Sequence, residues 1–157
     1  MLVIERVSWR APNYTVRDDA GHTGRWQRRR FAESMTGEVD GTPLELRRDG
    51  RRRFTLASSD AVLATAEAPR RTRWTITANG SAYQLRRRSR WRSDMELCRG
   101  EVAVGSIRKG RGARGQVLCD LPDGLSPAVQ AFVGFVVLAL WNRAAASSGS
   151  AVVVASS

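Results

Sequence analysis

Near the end of the chain, Ala128 to Trp141 reads AVQAFVGFVVLALW, apolar at every position except Gln130. A helix that is apolar all round has no face to give to water. It is either enclosed by protein or it spans a membrane. Fourteen residues make about 21 Å of helix at 1.5 Å per residue. The hydrocarbon core of a bilayer is roughly 30 Å thick and needs about 20 residues. Asn142 and Arg143 end the run. Ser126 is a good N-cap, and Pro127 sits at the first helical position, where its missing N–H costs nothing. The pattern predicts a helix from Ser126 to Asn142 buried in protein, with a short membrane tail anchor as the alternative.

A buried helix needs an enclosure, and the preceding residues supply one. From Leu2 to Leu121 the dominant hydrophobic period is two, interrupted by turn residues such as Asp40-Gly41, Asp49-Gly50 and Asn79-Gly80. Strands are expected near 2–8, 13–18, 22–29, 31–39, 43–48, 52–58, 60–66, 73–78, 81–88, 92–98, 101–108 and 115–121. Tight Asp-Gly and Asn-Gly turns imply hairpins, hence antiparallel neighbours. An open sheet of this size leaves unpaired edges, whereas a closed one does not. About twelve strands enclose more space than their own side chains fill, so something must occupy the lumen. The expected fold is therefore all-β with one helix: a closed antiparallel β-barrel of about twelve strands around a buried hydrophobic C-terminal α-helix. Residues 1–143 form the domain, and the Ala/Ser/Val segment 144–157 reads as a flexible tail.

Charge narrows the partners. The formal net charge is +11, which favours polyanions: an anionic membrane surface, nucleic acid, or an acidic protein. Lys109 is the one lysine; every other basic residue is arginine. Compositional bias accounts for arginine in place of lysine, but not for the excess of base over acid.

The residues of catalysis are sparse. Cys98 and Cys119 have no CxxC spacing and do not make a zinc site. The single histidine, His22, lies in a turn sequence. Gly105 to Gly110 has a P-loop flavour, but Arg111-Gly112 follows where Lys-Ser/Thr is required. Asp18-Asp19 and Asp120/Asp123 read as turn carboxylates. These features predict a non-catalytic protein with no cofactor, no metal and no small-molecule substrate. The N-terminus MLVIERVSW has no signal-peptide h-region, so the expected location is cytoplasmic with reduced thiols, or peripheral at the inner membrane face.

Strand parity brings arginines together. Around 83–97 the odd positions carry Tyr83, Leu85 and Met95, and the even ones carry Arg86, Arg88, Arg90 and Arg92. Arg71 and Arg73 lie opposite Trp74 and Ile76; Arg51 and Arg53 lie opposite Phe54 and Leu56. These eight arginines form a candidate anion- and lipid-binding face, since guanidinium forks chelate phosphate. The plain alternative is a solvated exterior with cross-strand pairs to Glu45, Glu96 or Glu101. Tryptophans beside arginine, including Trp9, Trp26, Trp74 and Trp91, would also suit stacked single-stranded nucleic acid, although core packing is the default for most of them.

Tyr14-Thr-Val-Arg-Asp-Asp-Ala-Gly21, MTGEVDGTPLELRR (Met35 to Arg48) and the closing helix LSPAVQAFVGFVVLALW resemble the tubby C-terminal-like superfamily, which includes tubby domains, LURP-one-related proteins and phospholipid scramblases. The resemblance covers nearly the whole chain. It implies a barrel with a central helix and an association with anionic phospholipid or membranes. The chain departs from the family in carrying no tubby-style phosphoinositide motif. Nor does it carry a scramblase-like calcium loop, since only Asp120 and Asp123 lie near the helix. The functional implication is one of fold.

Overall fold

The computed structural model describes residues 1–8, 10–29, 33–59, 61–70, 73–111 and 115–155, with side chains to residue 148. The strands are β1 (Leu2–Arg6), β2 (Asn13–Asp18), β3 (Thr23–Arg28), β4 (Met35–Val39), β5 (Thr42–Arg48) and β6 (Arg53–Ser58). They continue as β7 (Ala61–Arg70), β8 (Arg73–Ala78), β9 (Ser81–Ser89), β10 (Arg92–Arg99), β11 (Val102–Lys109) and β12 (Gln116–Asp120), and the helix α1 (Pro127–Ala155) follows. Each strand pairs antiparallel with the next, and β12 closes onto β1. This is the expected barrel. Two hairpins turn on Asp40-Gly41 and Asn79-Gly80, where both central residues have positive φ (50° and 79°; 52° and 73°). That geometry matches the twist of paired strands, and Asp/Asn-Gly tolerates it best.

Alternation holds along most strands. In β8, Trp74, Ile76 and Ala78 are buried while Arg73 and Thr77 are exposed. β6 departs from it: Phe54, Thr55, Leu56 and Ala57 are all buried. The pairing of β6 with β7 shifts register between Leu56 and Ala57, and the Thr55 hydroxyl donates to Asp49 Oδ2 at 3.1 Å.

The helix fills the lumen. Ala131, Phe132, Val133, Val136 and Val137 are completely buried. Phe135 packs edge-on to Tyr14, with ring centroids 5.6 Å apart, and lies 5.2 Å from Trp26. Trp26 in turn needs Gly37, its partner across the β3–β4 pairing. A Cβ on Gly37 would lie 2.5 Å from the Trp26 ring. The helix itself approaches the β1–β12 wall through Gly134, where a Cβ would lie 2.5 Å from Ile4 Cδ1 and 2.8 Å from Cys119 Sγ. The start of α1 is fixed as the sequence implies. Ser126 Oγ accepts the Val129 N–H at 3.3 Å, and the Gln130 amide, the polar exception in the run, donates to the Leu125 carbonyl at 2.8 Å.

The helix does not end at Asn142. It continues to Ala155, so the segment read as a flexible tail, 144–157, is helical as far as it is described. Ala144 to Ala146 are strong helix formers, and elongating an existing helix is far easier than nucleating one. The Ser147 and Ser148 hydroxyls donate to the carbonyls of Arg143 and Ala144, at 3.1 Å each. Residues 127–148 are long and apolar enough to cross a membrane by length and composition, and 44% of the apolar stretch is buried. That buried share is the part inside the barrel.

Filling the lumen ties stability to the helix. Phe132→Ala should cost about 3–5 kcal/mol through lost burial and the cavity left behind. Gly134→Leu should cost about 1–3 kcal/mol by overpacking against Ile4 and Cys119. Urea denaturation of each variant measures both, and midpoints unchanged from the parent would show that the helix is not packed in the core.

Candidate anion-binding surface

A closed meander places alternate turns at opposite ends of the barrel. The β1–β2, β3–β4, β5–β6, β7–β8, β9–β10 and β11–β12 connections share one end; the other turns and the β12–α1 connection share the opposite end. The helix enters at the second end and emerges at the first. The two ends differ sharply in charge. The emergence end carries Arg29, Arg51, Arg52, Arg70, Arg73, Arg90, Arg92 and Arg111 with the acids Glu33 and Asp49, whereas the entry end carries Asp18, Asp19, Asp40, Glu101, Asp120 and Asp123 with Arg99. The rims thus differ in sign, and the rest of the +11 charge lies elsewhere, including wall strands that carry Arg25, Arg47, Arg86, Arg88 and Arg108.

The predicted arginines fall into two groups. Arg86, Arg88 and Arg53 lie on the outer wall and meet acids across the strands. Arg86 and Arg88 bracket Glu96 at 3.5 and 3.7 Å, and Arg53 Nε is 3.3 Å from Glu67. Exposed pairs of this kind are weak, typically worth about 0–1 kcal/mol, and can open toward a competing anion. Arg51, Arg73, Arg90 and Arg92 belong to the basic rim, and among the described residues none has an acid within ion-pair distance. Arg73 faces Arg70 directly across the β7–β8 pairing, an arrangement of like charges that costs stability. Arg71 lies outside the described residues, as does Trp9.

Trp91 stands apart from the other described tryptophans. It sits at the tip of the β9–β10 hairpin between Arg90 and Arg92 and is 93% exposed, whereas Trp26 and Trp74 belong to the core. Trp141 is half-buried where the helix emerges; its indole N–H donates to the Ser93 carbonyl at 2.8 Å, and Lys109 Nζ lies 5.2 Å from its ring.

Arg143 locks the helix into the basic rim. Its Nε donates to both Glu33 carboxylate oxygens, at 3.0 and 3.1 Å, Nη2 lies 2.9 Å from Oε2, and Nη1 donates to the Arg51 carbonyl at 2.8 Å. Glu33 also takes Arg48 at 3.0 Å. The Arg143 carbon lies 5.3 Å from the Phe54 ring and 5.9 Å from that of Trp74. Beside this anchor is a cleft of about 620 Å3 between helix and barrel mouth, reached by Arg51, Arg52 and Arg87.

Parity alone misses Arg87 and Arg52 as candidate functional residues. Arg87 has the inward parity of Tyr83 and Leu85, yet at the mouth of the barrel an inward side chain reaches solvent. Its pairing with Met95 marks the level at which the lumen opens. The usable signal is an arginine on the apolar parity close to a strand end. A second overlooked signal is the turn composition, which alternates along the chain between basic and acidic.

The titratable groups that depart from their ordinary values are at the acidic end or buried. His22 hydrogen-bonds Asp40, which raises the histidine above its ordinary 6.5. Asp40 is held below its ordinary 3.8, first by the Thr23 N–H and then by His22. Burial pushes the Cys119 thiol up to about 12, so it is not a nucleophile at neutral pH. Among the described residues no group of three or more His, Cys, Asp or Glu side chains could hold a metal ion.

No protein-family model matches the chain, and no curated protein or solved structure matches it either.

Because His22 is the one histidine, its NMR titration is a single-site measurement. The midpoint should lie above 6.5, and Asp40→Asn should lower it toward the ordinary value. A folded-state value raised in this way contributes stability that is complete below the unfolded value and lost as pH rises through the folded one. An unshifted midpoint in the parent would contradict the His22–Asp40 contact.

Proposed function

We propose that this chain is a non-catalytic tubby-like barrel that associates with anionic phospholipid headgroups at the cytoplasmic face of a membrane. The observation that carries the reading is the basic rim: Arg51, Arg73, Arg90 and Arg92, with no acid within ion-pair distance among the described residues, share one end with the exposed Trp91, and acids predominate at the other. A charge dipole of this kind orients a protein on an anionic surface. Each basic residue near such a surface contributes about 1 kcal/mol. Tryptophan favours the headgroup level, where its ring is half in hydrocarbon and its N–H stays wet. The outer-wall arginines Arg86, Arg88 and Arg53 would add to this field once their weak pairs open. The sequence resemblance to the tubby-like superfamily points the same way.

Trp91 between Arg90 and Arg92 also supports a second reading, a nucleic-acid-binding barrel in which the ring stacks on a base. An interaction domain with incidental charge is the third.

Liposome co-sedimentation separates them. The protein should pellet with vesicles containing phosphatidylserine and not with pure phosphatidylcholine. Replacing Arg88, Arg90 and Arg92 together by alanine should weaken binding on the order of a hundredfold, as three charges at about 1 kcal/mol each imply. Trp91→Ala should weaken it further without changing the salt dependence. No association at physiological salt sinks the lipid reading. Oligonucleotide affinity that falls steeply with salt, with no vesicle binding, favours nucleic acid. Binding to neither leaves the interaction domain.

A further inference from the structure

The cleft at the basic mouth combines two properties that a general charged surface does not need. Its charged edge is Arg51, Arg52 and Arg87. None of these has an acid partner among the described residues. The fourth arginine there, Arg143, is already engaged by Glu33 and the Arg51 carbonyl through Nε and Nη1. Its wall is apolar: Trp74 and Met95 from the barrel, Leu140 and Trp141 from the helix. The aromatic part of that wall is held in place, since Trp141 is hydrogen-bonded to the Ser93 carbonyl and Trp74 packs 5.6 Å from Phe54 under the Arg143 guanidinium.

Three arginines line this one opening; like charges brought close repel one another, and their attraction for an anion is correspondingly large. A carboxylate offers two oxygens, whereas a phosphomonoester offers three and close to two negative charges at neutral pH. The apolar wall asks for hydrocarbon attached to that head. At about 620 Å3 the cleft is within the size range of small-molecule sites. We infer that this cleft binds a single amphiphile with a phosphomonoester head, the head between Arg51, Arg52 and Arg87 and the first part of the chain against Trp74, Met95, Leu140 and Trp141. The inference rests on the proposed lipid association and sharpens it: the outer rim would recognise a surface, and the cleft one molecule of it.

The test uses the full chain and a short-chain lipid below its micelle concentration, so that no surface is present. Dihexanoyl phosphatidic acid should bind saturably by calorimetry. Inorganic phosphate, which has the head alone, and dihexanoyl phosphatidylcholine, which lacks the monoester, should each bind at least about tenfold more weakly, the effect of losing one charge-assisted contact or the chain's burial. Arg51→Ala, Arg52→Ala and Arg87→Ala combined should lower phosphatidic acid affinity by at least the same factor. These side chains are exposed, so the denaturation midpoint should stay near that of the parent. The Arg88, Arg90 and Arg92 alanine variant should leave monomer binding unchanged. Phosphate or phosphatidylcholine binding as tightly as phosphatidic acid overturns the inference, as does no saturable binding. Vesicle association without monomer binding removes the cleft and keeps the proposed function. Monomer binding without vesicle association does the reverse.

Discussion

The contact between the apolar helix and the inside of the barrel is the interaction on which the rest depends. Twelve strands enclose a lumen that their own side chains do not fill, and α1 supplies the missing volume. Phe132, Val133, Val136 and Val137 are completely buried, and burying each stabilises the fold by roughly 1.5–3 kcal/mol. Fit is achieved by glycine on both sides. Gly134 lets the helix reach the β1–β12 wall, and Gly37 leaves room for Trp26 to meet Phe135. Neither the barrel nor the helix has a complete core without the other.

The same arrangement sets the direction of the molecule. A helix that traverses the barrel must leave it at one end, and α1 leaves through the arginine-rich rim, anchored there by Arg143 on Glu33. Its most hydrophobic stretch is thereby hidden. Among the described residues, that end offers outward charge, the exposed Trp91 and a cleft with an apolar wall. The acidic rim, with its His22–Asp40 and Met1–Asp19 contacts, points the other way. The proposed surface site and the proposed cleft site share one end without sharing residues, because the arginines of the hairpin tip and those of the cleft are different.

The architecture was legible because period-two patterning, Asp-Gly and Asn-Gly turns and a capped apolar run all favour one answer. The end of the helix was not. Arg143 interrupts the apolar run and reads as a stop, but its charge is satisfied by Glu33, 110 residues away, and no local pattern reports that pairing. β6 hides its two-sided burial for a related reason: Thr55 looks like an outward position until Asp49 is seen to accept its hydroxyl hydrogen. The candidate site was partly legible. Alternation correctly assigns Arg73, Arg86 and Arg88 to the outside. It places Arg87 inward, which is correct as parity and misleading as chemistry, because inward at the mouth means toward the cleft. The charge polarity was written in the alternating turns, but it becomes visible only when the closed topology says which turns share an end.

A chain ending at Leu125 shows whether the barrel stands without its helix. Without α1 the barrel has an empty apolar lumen, so the truncated chain should show no cooperative unfolding transition and no dispersed amide NMR spectrum. A truncated chain that unfolds cooperatively, with the strand content of the parent, would contradict the account.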